Sequence, residues 1–218
     1  MKHIDPLLED AITARQDGRT DEALRILMKL WVQAGDGRVR AGASEFIIMF
    51  QWEQLAEQYL PARDALAGAR DEQMHRLLSG DENFSVRDRG SPRSRFQVIV
   101  DMNETLEDSR ATYELFLQLE SLFPALARRE ASRALPAIVE AGDFTLAERY
   151  MANTLDLQDH LAHLNHLSRD FALFPQALRA PPRLAAELSG FMRAVMLRAA
   201  VLHGTGRKSK LRSCAMRR

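Results

Sequence analysis

The feature that most restricts the fold is a short helical pattern that occurs near both ends of the chain. Gly18 precedes Ala23 by five residues, Leu27 follows that alanine by four, and the same spacing joins Gly142 to Ala147. Residues four apart lie on one face of a helix, so each glycine turn leads into a helix whose face begins with a small side chain. Two antiparallel helices need such a side chain where their backbones come closest. We therefore predict an all-α fold built from stacked antiparallel helical hairpins.

The alanines of this pattern recur along the chain, at Ala23, Ala56, Ala111 and Ala147, with intervals of 33, 55 and 36 residues. The middle interval contains an additional predicted helix and a segment, 80–94, that is rich in turn-forming residues. A recurrence of this length is typical of helical repeat proteins, in which each unit buries its apolar face against the next. An irregular helical bundle is the alternative.

With these residues the chain resembles the tetratricopeptide repeat family. The second-helix part of the family motif is matched by two sets of residues: Gly18, Ala23, Leu27 and Leu30, and Gly142, Asp143, Phe144, Ala147 and Met151. The first-helix signature and the proline that ends each repeat are largely missing. The resemblance implies a short α-solenoid that binds a protein or peptide partner, here with the last long helix as a cap.

Turn residues and helical spacing predict where the helices lie. Asp5 is the predicted N-cap of the first helix, Pro6–Gln16. The second helix is capped by Thr20 or Asp21 and closed at Gly35–Gly37, and Pro61 predicts a kink or early end of the fourth, Glu53–Leu66. The other predicted helices are Val39–Phe50, Asp71–Leu78, Ser94–Thr105, Asp108–Leu122, Pro124–Glu140, Phe144–Asn153, Leu157–Phe174 and Pro182–His203. We expect helical hairpins over 1–79, a mobile loop over 80–94, further hairpins and the capping helix over 95–203, and a flexible basic tail over 204–218.

Composition and charge exclude several classes of protein. Lysine and arginine together number 30, as do aspartate and glutamate, so net charge predicts neither a nucleic-acid nor a membrane partner. The lone cysteine, Cys214, cannot form an internal disulfide, and no signal peptide or apolar span of about 20 residues is evident. We expect a cytoplasmic protein. The basic tail leaves nucleic-acid association open as a less favoured function.

Three arginines are the predicted partner-binding residues. Arg128, Arg129 and Arg133 belong to the first helix of the last predicted repeat. In tetratricopeptide proteins that helix lines the concave groove, so the resemblance implies that these arginines meet acidic groups of a partner. A solvent-exposed arginine face with no partner is the simpler interpretation.

Three histidines form the only candidate metal set. His160, His163 and His166 recur every third residue, so one helix face could present all three. Neutral imidazoles beside carboxylates are ligands for Zn²⁺ or Ni²⁺. The alternative is a polar helix face with hydrogen-bonded histidines.

Catalytic motifs are not evident in the sequence. There is no glycine-rich phosphate loop, no HExxH pair and no GxSxG elbow. We therefore predict an interaction scaffold without a cofactor, with a protein or peptide partner and a homodimer as a further assembly. The alternative is a metalloprotein or an enzyme that uses the histidine face.

Overall fold

The computed structural model describes residues 5–36, 45–85, 93–154, 161–166 and 180–206, which contain ten helices and one two-stranded sheet. The chain divides into two compact units, Met1–Leu115 and Phe116–Arg218. The all-α class is confirmed, because consecutive helices pack against one another within each unit. No helix among the described residues is long and apolar enough to cross a bilayer.

Unit 1 consists of five helices and a β-hairpin, together with the beginning of a sixth helix, which contains the boundary between the units. The elements are α1 (Pro6–Gln16), α2 (Thr20–Gly35), α3 (Glu45–Ala56), α4 (Leu60–Leu78), β1 (Asn83–Ser85), β2 (Arg93–Ser94), α5 (Arg95–Leu106) and α6 (Ser109–Leu122). Each helix from α1 to α4 contacts the next, α4 contacts α5, and α2 and α5 both contact β1. The core is apolar and continuous from α1 to α5.

Unit 2 contains a hairpin and a long final helix. Its elements after α6 are α7 (Pro124–Glu140), α8 (Phe144–Thr154), α9, a helix that is described over 161–166, and α10 (Ala180–Gly204). α7 packs against α8, and α10 packs against both. The predicted helix Leu157–Phe174 is described only over 161–166, and most of the basic tail, from residue 207 onward, lies outside the described residues.

The two glycines of the sequence pattern occupy equivalent turns. Gly18 joins α1 to α2 with φ 77°, and Gly142 joins α7 to α8 with φ 79°. This left-handed conformation is accessible to glycine at little cost, and it closes each helix with the same pair of backbone hydrogen bonds. Ala23 and Ala147, five residues later, are fully buried. The predicted helical hairpins are therefore confirmed at both ends of the pattern.

Helix starts were predicted with mixed success. The Asp5 carboxylate accepts a hydrogen bond from the Leu7 N–H at 2.9 Å, and Pro6 begins α1, as predicted. The predicted cap of α2 by Thr20 or Asp21 is wrong, because Arg19 occupies the N-cap position without a side-chain cap bond. The first turn of α2 instead depends on its position after the tight glycine turn.

The predicted break inside the fourth helix is also wrong. Pro61 does not kink a helix that spans Glu53–Leu66. It lies in the first turn of α4, where a backbone N–H would have no hydrogen-bond partner within the helix. The predicted short helix Asp71–Leu78 is the end of this same α4, and α3 extends to Ala56. Proline therefore marks the start of a helix here.

The segment predicted as a loop over 80–94 has regular structure at both ends. Asn83 pairs with Ser94 and Ser85 pairs with Arg93 in an antiparallel ladder, while 86–92 lies outside the described residues. The proposed domain division at this segment stays a prediction. Immediately after the ladder, α5 begins within one residue of its predicted start.

A glutamate in the left-handed conformation, Glu107, ends α5. Substitution of this residue tests whether the turn has a positive φ. Glu107 has φ 57° and an exposed side chain, and its ion pair with Arg63, at 4.0 Å, is solvent-screened. We expect Glu107→Gly to raise the free energy of unfolding by about 0.5–1 kcal/mol, because glycine adopts this φ without strain. The matched control, Gly18→Ala, should lower it by about 1 kcal/mol. Urea unfolding measures both; destabilisation by Glu107→Gly would contradict the turn assignment.

Candidate functional site

Unit 1 contains a cavity of about 520 Å³ between α2, α4 and β1, with one residue from α3. Most of its lining is apolar, and four polar residues lie at one end. The lining residues are Met28, Trp31, Val32, Gly35, Asp36, Trp52, Ala65, Gly68, Ala69, Glu72, Gln73, Arg76 and Phe84. A preformed apolar cavity of this volume with a few polar groups is the usual form of a ligand-binding pocket.

Three aromatic rings form one wall of the pocket. Trp31 and Phe84 lie with ring centroids 4.5 Å apart and planes tilted by 33°, and Trp52 meets Trp31 edge-on at 6.2 Å. The indole N–H of Trp52 donates to the Ala62 carbonyl at 2.9 Å, which satisfies its only polar group and fixes the ring. The wall is therefore rigid, and it contains both tryptophans of the chain.

Phe84 comes to this wall from β1 and lies over Gly35, near the end of α2. A Cβ at Gly35 would lie 3.5 Å from the Phe84 ring, an ordinary van der Waals distance, so the ring packs closely on this glycine. The Arg95 guanidinium carbon lies over the Phe84 ring, 5.9 Å from its centroid, within the range of a cation–π interaction.

Arg95 is fully buried and holds β1 in place. Its guanidinium donates to the Asp81 carbonyl at 2.7 Å, to the Asp81 carboxylate at 2.7 Å, to the Asn83 carbonyl and to the Gln73 side chain. Burial lowers the pKa of Arg95, and its hydrogen bond to Asp81 acts in the opposite direction. Because a buried cation needs compensation, this network fixes the segment 81–83 and, with it, Phe84.

The floor of the pocket is a stripe along α4. Ala65, Gly68 and Ala69 form its apolar part, and a Cβ built at Gly68 would meet no atom within 4 Å. The stripe continues through the polar side chains of Glu72, Gln73 and Arg76. This floor leaves an open channel beside the aromatic wall.

The rim of the pocket extends the apolar surface onto α2. Met28 is 44% exposed and Val32 is 62% exposed, and both line the pocket. Met28 does not belong to the buried stripe of α2. The buried positions are Ala23, Leu27, Leu30, Trp31 and Ala34, so Met28 lies beside that stripe and faces the open side of the pocket.

The predicted partner-binding arginines share one helix, α7 of unit 2. Arg129 and Arg133 pair with Glu130 at 3.3 and 3.0 Å, and the Glu130 side chain is buried. Arg128 is exposed. Two of the three cations therefore compensate a buried carboxylate, and their role toward a partner stays a prediction.

The predicted histidine set is only partly described. His160 lies outside the described residues, while His163 and His166 are exposed on α9. His163 Nε2 lies 3.7 Å from Glu187 Oε1 on α10. Among the described residues, no group of three His, Cys, Asp or Glu side chains could hold a metal ion. The metal site that includes His160 stays a prediction.

Sequence reasoning missed the pocket. Trp31 and Trp52 are buried like ordinary core residues, but their rings also border a cavity. Two signals could have indicated it: apolar Met28 and Val32 beside the core stripe of α2, and the small side chains of α4.

The chain matches no protein-family model, and comparisons with curated proteins and with solved structures find no significant match.

The Asp81 carboxylate, which accepts from Arg95, makes the stability of the segment that carries Phe84 dependent on pH. Burial raises its pKa, but hydrogen bonds from Arg95 and Arg76 outweigh this, so the pKa lies below the ordinary value of 3.8. A depressed carboxylate pKa contributes stability above the unfolded-state pKa, and this stability is lost as pH falls through the folded-state pKa.

We therefore expect Asp81→Asn to lower the free energy of unfolding by about 1 kcal/mol at pH 7. This value is small for a charged hydrogen bond because the Asp81 side chain is partly exposed and solvent screens its interactions. The deficit should vanish below the folded-state pKa, where the wild-type carboxyl is protonated. Urea titrations across acidic pH measure this, with Asp10→Asn, an exposed carboxylate of α1, as the control. A deficit that persists unchanged in acid would contradict the assigned network.

Proposed function

We propose that the protein is an interaction module of stacked, tetratricopeptide-like helical hairpins, and that the pocket of unit 1 binds a peptide segment of a partner protein. The observation that supports this most is the aromatic wall of Trp31, Trp52 and Phe84 beside an unfilled floor at Gly68. Surfaces of helical repeat proteins commonly bind peptides or partner domains. A cytoplasmic location belongs to the same proposal, since Cys214 is the only cysteine.

The shape of the pocket favours a chain segment over a compact ligand. Its floor follows α4 from Ala65 to Arg76, a distance of about 16 Å along the helix axis. An extended peptide covers that length with about five residues. The exposed side chains of Met28 and Val32 continue the apolar surface beyond the cavity, so a segment that passes over the rim would cover them as well.

The chemistry of the lining favours binding over covalent catalysis. The lining residues among the described parts of the chain include no Ser, Thr, Cys, His or Tyr. The carboxylates of Asp36 and Glu72 are therefore the only groups of this lining suited to nucleophilic or proton-transfer chemistry. Arg76 pairs with Asp81 at 2.7 Å, and the Gln73 side chain accepts from Arg95. Glu72 and the guanidinium of Arg76, which has five N–H donors, would orient the polar part of a ligand.

The favoured ligand has an apolar or aromatic anchor followed by polar residues. The anchor would lie between the aromatic wall and the small side chains at Ala65, Gly68 and Ala69. Burial of one large apolar side chain contributes about 1.5–3 kcal/mol, and offset or edge-on ring contacts add about 1 kcal/mol. The arginines of α7 would then form a separate, weaker surface.

Filling the channel tests the proposal. Peptides of about 10 residues, selected from a random displayed library on the full chain, should change tryptophan emission, because both tryptophans border the pocket. We expect Gly68→Leu to weaken binding of a selected peptide by about 10-fold or more. The new side chain enters open space and favours helix, so the fold should persist.

Gly190→Leu is the matched control, since Gly190 is also helical and open, but lies in α10 of unit 2. It should leave affinity unchanged. Selected peptides that bind the Gly68→Leu variant as tightly as the wild type, or that leave tryptophan emission unaltered, would contradict the proposed site.

A further inference from the structure

The outer face of α10 carries an exposed apolar stripe. Leu188, Met192 and Met196 are 48%, 57% and 67% exposed, and they are spaced four residues apart. Residues at this spacing lie on one face of a helix. Exposed apolar side chains that form a continuous stripe, rather than single positions, mark interaction surfaces.

The orientation of α10 in unit 2 is set by its opposite face. Ala194 and Val201 are buried, and α10 packs against α7 and α8. At 100° per residue, both positions point about 160–180° away from Met192. The stripe therefore faces away from the α7–α8 hairpin.

Charged side chains are excluded from the stripe. Between residues 185 and 199, the charged residues Glu187, Arg193 and Arg198 point about 100° or more away from Met192. The positions nearest the stripe are Ala185, Ser189, Val195 and Ala199, which carry no charge. An uncharged face over four helical turns is matched by another uncharged face, since a charged partner would lose solvation without an ion pair.

We infer that this face binds a second copy of the chain, with the two α10 helices antiparallel and a two-fold axis near Met192. The stripe is symmetric about that residue, because Leu188 and Met196 lie four positions on either side. A two-fold axis brings the same surface of both copies together, so Met192 would face its own equivalent and Leu188 would face Met196 of the other copy. Each position of the stripe then meets an apolar side chain of similar size.

The extent of the face indicates how strong this dimer is. The span from residue 185 to 199 is roughly 20 Å long, on a helix about 10 Å wide. Such a face has a projected area of about 200 Å² on each copy, so the total buried surface lies below the roughly 1,000 Å² of a stable interface and in the range of weak, transient ones. We therefore expect dissociation in the micromolar range. The surface is separate from the pocket of unit 1, so the inference does not depend on the proposed peptide binding.

Cysteine cross-linking of the full chain tests both the interface and its polarity. In a Cys214→Ser background, Met192→Cys should form a disulfide-linked dimer under mild oxidation, because facing helices 8–10 Å apart bring such Cα atoms within about 6 Å. Met196→Cys should not link to itself, since antiparallel copies hold these residues about 12 Å apart. A mixture of Leu188→Cys and Met196→Cys chains should form the linked heterodimer. Gly190→Cys, which points away from the stripe, is the matched control.

Sedimentation of the chain without added cysteines provides the second measurement. The wild type should be dimeric at tens of micromolar, and Met192→Glu should be monomeric with unchanged helical circular dichroism. A monomeric wild type, a dimer that persists in Met192→Glu, or self-linking of Met196→Cys equal to that of Met192→Cys would each overturn the inference.

Discussion

The structure of unit 1 depends on the burial of one guanidinium, that of Arg95. Its hydrogen bonds join α4 through Gln73, the connection through Asp81, and β1 through Asn83. A buried cation without compensation would cost several kcal/mol, so the segment that supplies these oxygens cannot move away freely. The backbone carbonyls of Asp81 and Asn83 accept from this guanidinium and would otherwise need another donor, such as water. One side chain thereby fixes the β-hairpin to the helices on which it lies.

The pocket follows from this constraint. Phe84 directly follows Asn83, whose carbonyl accepts from Arg95, and its ring completes the wall begun by Trp31 and Trp52. Small side chains on α4 leave the opposite side unfilled. In a unit otherwise built of helices, a three-residue strand thus completes a concave surface that the helices alone would not form. Unit 2 offers a surface of another kind, the uncharged outer face of α10.

The sequence was most informative where local chemistry decides the structure. Gly18 and Gly142 marked their turns because few other residues adopt their positive φ, and Asp5 with Pro6 marked the start of α1. Pro61 was misread because proline disfavours a helix interior yet suits a first turn, and only tertiary packing decides between these positions. The pocket could not be derived from spacing. Gln73, Asp81 and Arg95 belong to different elements, and nothing in their local sequence indicates that they meet.

The measurement that tests this account most directly is acrylamide quenching of tryptophan emission in Arg95→Met, which removes the charge and keeps most of the side-chain stem. The account predicts unchanged helical circular dichroism but stronger quenching, because Phe84 no longer covers Trp31 once the hairpin is released. Quenching equal to that of the wild type, in a variant with intact helices, would contradict the claim that Arg95 holds the pocket wall.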